Sequence, residues 1–161
     1  MDERGPARQH PRISPETARA TRTILLADDD PGIREMLGRV LESEHYEVIL
    51  ARDGNEAGAR FVAGEPDLVL LDLNMPERDG WSAFRFMEAF RPLIPFIIIT
   101  ARPSQYPKAE ELGVDALMEK PLNLPVLLDA IKKLLAETDG ERMHRLTRPD
   151  FKTALLPTAQ S

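Results

Sequence analysis

Leu68-Val-Leu-Leu-Asp72-Leu-Asn74-Met-Pro76 is a short, nearly all-apolar run with one carboxylate after its fourth residue. Pro66-Asp67 precedes it and Pro76 closes it. A run of this length and composition suits a strand buried on both faces, as in a parallel sheet. A buried strand has no use for a charge, so Asp72 at its carboxyl end is costly unless that end opens into a site. In open α/β sheets, ligands sit outside the carboxyl ends of the strands. Taken alone, Asp72 reads equally well as a strand-terminal residue that faces solvent or starts a turn.

The same texture recurs on both sides. Upstream, Thr23-Ile-Leu-Leu-Ala27 is a second apolar run and ends in Asp28-Asp29-Asp30. Asp30 followed by Pro31 makes a good helix start. Ile33, Met36, Leu37, Val40 and Leu41 then mark one helix face at i, i+3, i+4, i+7, i+8 spacing. Tyr46–Ala51 reads as another strand. Asp53-Gly-Asn-Glu56 resembles a capping box opening a helix with Ala57, Phe61 and Val62 inward and Gly64 at its end. Downstream, Asp79-Gly80 starts a helix with Ala83, Phe84, Met87 and Phe90 inward. Phe96-Ile-Ile-Ile-Thr100 follows as a strand. Pro103 and Pro107 leave room only for a short helix around Lys108–Leu112, closed by Gly113 in a left-handed conformation. Ala116–Glu119 is a short fifth strand before Lys120-Pro121. Asn123 caps a last clear helix bearing Leu127, Leu128, Ile131, Leu134 and Leu135.

Five β-α units in alternation imply a parallel sheet with helices on both faces and right-handed crossovers. The expected fold is a doubly wound, three-layer α/β/α domain with a five-stranded parallel sheet over residues 22–137. Residues 1–21, with Pro6, Pro11, Pro15 and almost no large apolar side chains, read as a disordered arm. Residues 138–161 read as a C-terminal tail with at most one loose helical turn and no room for an output domain.

Composition narrows the function. The chain of 161 residues is 42% hydrophobic and carries a net charge of −6. An acidic chain is a poor direct partner for nucleic acid, which is held through basic patches. The absence of cysteine removes disulfides, thiol chemistry and Cys-ligated zinc. The apolar runs are too short to span a bilayer, and the chain has no signal-peptide pattern. A cytoplasmic location is expected.

Asp28, Asp29, Asp30, Asp72, Thr100 and Lys120 all fall at the carboxyl ends of predicted parallel strands, and so on one edge of the sheet. Several carboxylates sharing a small site require a compensating cation. Hard oxygen donors of this kind suit Mg²⁺, which retains waters and leaves positions for phosphate oxygens. Lys120 and Thr100 would offer a charge and a hydroxyl to the same phosphate. Asp30 is explained by its capping role alone.

Four stretches in register, Ile24-Leu-Leu-Ala-Asp28-Asp29-Asp-Pro-Gly-Ile-Arg34, Leu70-Leu-Asp72-Leu-Asn-Met-Pro76, Ile97-Ile-Ile-Thr100-Ala101 and Glu119-Lys120-Pro121, resemble the receiver domains of bacterial two-component response regulators, over about residues 22–137. The resemblance implies a flavodoxin-like fold with strand order 2-1-3-4-5. It also implies that Asp72 accepts a phosphoryl group from a histidine kinase or a histidine phosphotransfer protein. Asp28 and Asp29 would hold Mg²⁺ together with Asp72 and the backbone carbonyl of Asn74, with Asp29 direct and Asp28 more often through water. Thr100 and Lys120 would hold the phosphoryl group, and the Lys120–Pro121 bond would be cis. The chain would then be a stand-alone phosphorelay protein, not an enzyme with a released product, passing its signal to an unknown downstream protein.

Two features depart from the family. Leu117 stands three residues before the lysine, where an aromatic residue is usual, and the interval from Thr100 to Gly113 is about two residues short. Three other functions compete. A phosphorylation-independent adaptor on the same fold fits Leu117. A haloacid-dehalogenase-like phosphohydrolase would use Asp28-x-Asp30, though no cap domain fits. A flavodoxin-like FMN carrier would need a Ser/Thr/Gly loop where this chain has three carboxylates.

Overall fold

The computed structural model describes residues 21–75 and 79–159. Apart from Thr21, the expected N-terminal arm lies outside the described residues. The chain alternates β1 (Thr23–Ala27), α1 (Pro31–Ser43), β2 (Glu47–Ala51), α2 (Gly54–Gly64), β3 (Leu68–Asp72), α3 (Gly80–Phe90), β4 (Phe96–Thr100), α4 (Tyr106–Glu111), β5 (Ala116–Glu119) and α5 (Leu124–Ala136). Two more elements follow, α6 (Asp139–Leu146) and β6 (Ala154–Leu156). The sheet is parallel throughout, in the order β2-β1-β3-β4-β5-β6.

The central strands are buried on both faces, as their unbroken apolar runs require. Alternate side chains feed two cores. Leu25, Val69, Leu71 and Ile98 pack with Phe61 of α2, Phe84 and Met87 of α3 and Ala109 of α4. Ile24, Leu26, Leu70, Ile97 and Ile99 pack with Leu37 and Leu41 of α1 and Leu127 and Ile131 of α5. The helices start where the sequence places caps. The Asp30, Asp53, Asp79 and Asn123 side chains each accept backbone N–H bonds of the following turn. The capping box at Asp53 has one altered arm, because Glu56 accepts from the N–H of Arg52. Gly113 has φ +78°, the left-handed conformation expected after α4.

Three helix-face assignments shift. Met36, Val62 and Phe90 are exposed, at 40%, 38% and 52%. Met36 and Val62 each lie one position beside a buried residue, Leu37 and Phe61, on the solvent edge of the apolar stripe. Phe90 ends α3 and stacks on Phe86 at the surface.

The larger correction concerns residues 138–161, expected as a tail. Thr138 and Glu141 form a reciprocal capping box that starts α6. The buried Arg142 of α6 pairs with the buried Asp115 just before β5. Asp115 also receives Arg145 at 2.7 Å and the N–H of Phe96 at 2.9 Å. This network turns the chain back along β5. Thr153 buries its hydroxyl on the Val114 carbonyl, and β6 pairs with β5 in the register Ala116↔Ala154, Leu117↔Leu155, Met118↔Leu156. Among the described residues the sheet therefore has six strands, not five.

Candidate functional site at the carboxyl edge of the sheet

Parallel pairing carries the ends of β1, β3, β4 and β5 to one edge, and the side chains that leave these ends converge there. Asp28 follows β1 and is fully buried. One of its carboxylate oxygens accepts the N–H of Asp30 at 2.9 Å, and the other lies 3.1 Å from Lys120 Nζ. Asp72 ends β3 at 1% exposure. It accepts the N–H of Asn74 at 3.2 Å and lies 3.6 Å from the same ammonium. Thr100, the last residue of β4, is also fully buried. Lys120 follows β5, and its backbone N–H is bonded to the Thr100 carbonyl at 2.8 Å, which ties the hydroxyl and the ammonium to one rung. The Lys120–Pro121 peptide bond is cis.

Carboxylate oxygens of Asp28, Asp29 and Asp72 lie within 4.8 Å of one another, with Asp29 the exposed member. Burial, followed by the Asp28 charge, pushes the Asp72 carboxyl up to about 6, against the lowering effects of the Asn74 N–H and Lys120. Burial disfavours the Lys120 ammonium, but Asp28 and then Asp72 outweigh it and hold its pKa above the ordinary lysine value. Among the described residues, with all three carboxylates ionised, three negative charges face one ammonium. The deficit of two is the charge of one divalent cation, and the donors are all hard oxygens. The residues therefore fit Mg²⁺. Asn74 is exposed and held beside Asp72 by its own N–H bond. Asp30 caps α1 through the N–H groups of Gly32 and Ile33.

Three supporting residues escaped the sequence reading. Arg34 donates to the Asp28 carbonyl at 2.7 Å, steadying the β1–α1 turn from the first turns of α1. Arg102 bridges the β3 and β4 ends, with its N–H on the Thr100 hydroxyl oxygen at 2.9 Å and its guanidinium on the Leu73 carbonyl at 3.1 Å. Gly80 lets α3 start against the end of β3. A Cβ there would sit 2.4 Å from Leu73 Cα and 2.9 Å from the Asp72 carbonyl oxygen. A glycine placed after a predicted N-cap was the available signal for Gly80. An arginine bonded to a carbonyl leaves none.

The family model of the response regulator receiver domain matches residues 24–132. Response regulator MprA of Mycolicibacterium vanbaalenii is 38% identical over 117 residues, which cover 71% of this chain and 51% of that protein. Transcriptional regulatory protein GlrR of Escherichia coli is 39% identical over 118 residues, covering 71% of this chain and 26% of the relative. The chain thus spans about half or less of these curated relatives. Among solved structures, a CheY-like receiver domain protein from Methanospirillum hungatei superposes with a TM-score of 0.69 at 30% identity, covering 72% of this chain and 94% of the other. TrrA of Thermotoga maritima, solved in complex with Mg(2+)-BeF, gives 0.66 at 33% identity, covering 70% and 98%. On its fold, its strand-end constellation and these matches, the chain belongs to the response regulator receiver domain family.

Proposed function

We propose that this protein is a phosphoryl acceptor in two-component signal transduction, with Asp72 as the acceptor and Mg²⁺ as the cofactor. The observation that carries the reading is the buried Asp72 carboxylate 3.6 Å from Lys120, with the Thr100 hydroxyl at the adjoining strand end. An Asp72 oxygen forms the new P–O bond as the N–P bond of a phosphohistidine on a kinase or phosphotransfer protein breaks. The electron pair of that bond returns to the imidazole, and the product is an acyl phosphate. Phosphoryl transfer depends mainly on alignment and on neutralising the equatorial oxygens.

Asp28, Asp29, Asp72 and the Asn74 carbonyl would hold Mg²⁺, which when bound supplies positive charge to the phosphoryl oxygens. The protein's own groups do the rest. The N–H of Asn74 fixes one Asp72 oxygen and leaves the other for attack. Lys120 moves from Asp28 and Asp72 onto a phosphoryl oxygen. The Thr100 hydroxyl donates to another. Water later attacks the phosphorus, the Asp72 O–P bond breaks, and inorganic phosphate leaves as the carboxylate is restored, so the protein turns over only its own modification and is not an enzyme for a released substrate. The signal leaves through contact with a downstream protein.

Incubation with Mg²⁺ and acetyl phosphate, followed by intact mass and peptide mapping, tests this. Phosphate is expected on Asp72, and Asp72→Asn should take up none. Label on Asp28 would instead indicate a phosphohydrolase of the haloacid-dehalogenase kind, and undiminished uptake by Asp72→Asn would refute the assignment.

A further inference from the structure

The segment after α6 reaches the backbone on both sides of Lys120. β6 covers the outer edge of β5, the strand that leads into Lys120. Beyond β6, the Thr158 hydroxyl lies 2.6 Å from the Glu119 carbonyl and is also hydrogen-bonded to the Pro121 carbonyl. The N–H of Ala159 donates to the same Pro121 carbonyl at 3.0 Å. These two carbonyls flank Lys120. On the other side, the Tyr106 hydroxyl donates to the Thr153 carbonyl at 2.6 Å, with Glu110 as a competing acceptor at 3.0 Å. Tyr106 opens α4, immediately after the loop whose Arg102 N–H is bonded to Thr100.

The two halves of this extension are held very differently. α6 is fixed by the buried ion pairs of Asp115, where losing one partner strands a charge. Thr153 is buried and marks the pivot. The strand beyond it is three residues long, with Ala154 exposed, Leu155 at 59% and Leu156 half-buried. Segments with little buried apolar surface open first.

From this geometry we infer that residues 154–159 form an autoinhibitory strap on the β5 edge, latched by Tyr106 at its pivot and by Thr158 at its far end, and released when Asp72 is phosphorylated. The inference rests on Asp72 being the acceptor. A phosphoryl group brings charge and acceptor oxygens. Thr100 then turns its hydroxyl to the phosphoryl group, disturbing the bond from the Arg102 N–H and the loop that carries Tyr106. Lys120 is drawn toward the same oxygens, and the carbonyls at 119 and 121 move with its backbone. Both latches are thus wired to groups that the phosphate recruits. Release bares the backbone N–H and C=O groups of β5, the part of a sheet edge that a partner strand pairs with.

The test is amide hydrogen exchange on the full chain with Mg²⁺, before and after acetyl phosphate, with intact mass run in parallel to count incorporated phosphate. Phosphorylation should raise exchange at least about fivefold in 154–159 and in Ala116–Glu119, the factor that one net hydrogen bond supplies. The α6 amides should stay protected. In the unphosphorylated double variant Tyr106→Phe/Thr158→Val, exchange in the strap should already approach that of the phosphorylated protein, with phosphate uptake unchanged. Full phosphate incorporation with unaltered exchange in 154–159 overturns the strap and leaves the acceptor assignment standing. No incorporation overturns both. A double variant that exchanges like wild type overturns the latch.

Discussion

Replacing Asp72 with Asn should stabilise the metal-free protein, by an amount set by pH. In the folded chain the Asp72 carboxyl titrates at about 6, against an ordinary value of 3.8. A folded pKa above the unfolded one means that the native state binds the proton more tightly. The penalty on folding therefore grows as the pH rises from about 3.8, is complete above about 6, and disappears below the unfolded value. A displacement of about two pKa units corresponds to about 3 kcal/mol of lost stability above pH 7. Asn carries no charge, and its Oδ1 still accepts the N–H of Asn74. Lys120 keeps its 3.1 Å pair with Asp28. In chelator-containing buffer at pH 8, Asp72→Asn should thus unfold about 2–3 kcal/mol later than wild type in urea. The gap should shrink through pH 6 and close below about pH 4. Circular dichroism across a pH series gives both numbers. A variant no more stable than wild type at pH 8 would refute the reasoning. So would a gain of equal size at pH 4 and pH 8, since the carboxylate charge could not then be its source.

Mg²⁺ should raise the melting temperature of wild type, by about 2.7 kcal/mol in stability at a hundredfold excess over Kd. Asp29→Ala should lose most of that gain in a thermal shift assay while retaining the fold, because Asp29 is the exposed member of the cluster. Asp115→Ala should cost about 3–5 kcal/mol in denaturant unfolding, since it leaves the buried Arg142 without its carboxylate. Gly80→Ala should cost about 1–3 kcal/mol by overpacking and should lower the rate of phosphate uptake, because α3 must back away from Leu73 and the Asp72 carbonyl.

Most of the fold was legible because each level of the sequence agrees with the next. Apolar runs, caps and glycines place ten elements, and a parallel sheet leaves little choice about where Asp28, Asp72, Thr100 and Lys120 meet. The C-terminal extension was not legible, and the reason is chemical. Its ordering comes from Arg142 and Arg145 on a buried Asp115, which a hydropathy pattern reads as polar surface. Its strand is three residues long, too short to show a period. Leu117 lay between these cases. Its identity predicts a side chain buried without a ring to swing, and it is fully buried. That its backbone edge is covered by Leu155 could be seen only once the fold was known.

The two ends of β5 differ in how their charges are met. At one end Asp115 is surrounded by Arg142, Arg145 and the Phe96 N–H, and Arg145 is shared with Glu137. Among the described residues, two carboxylates meet two guanidiniums there, so the charge is balanced within the chain. At the other end, among the described residues, three carboxylates meet one lysine, two of them buried where water cannot screen them. Such a cluster is held together by the rigid strands around it, and it is strained in charge until something positive arrives. A balanced network resists any ligand, because a ligand must first displace a good partner. An unbalanced one has affinity for a cation built into its resting state. One strand therefore carries a charge-balanced anchor at Asp115 and, at Lys120, the unbalanced end on which the proposed phosphorylation would act.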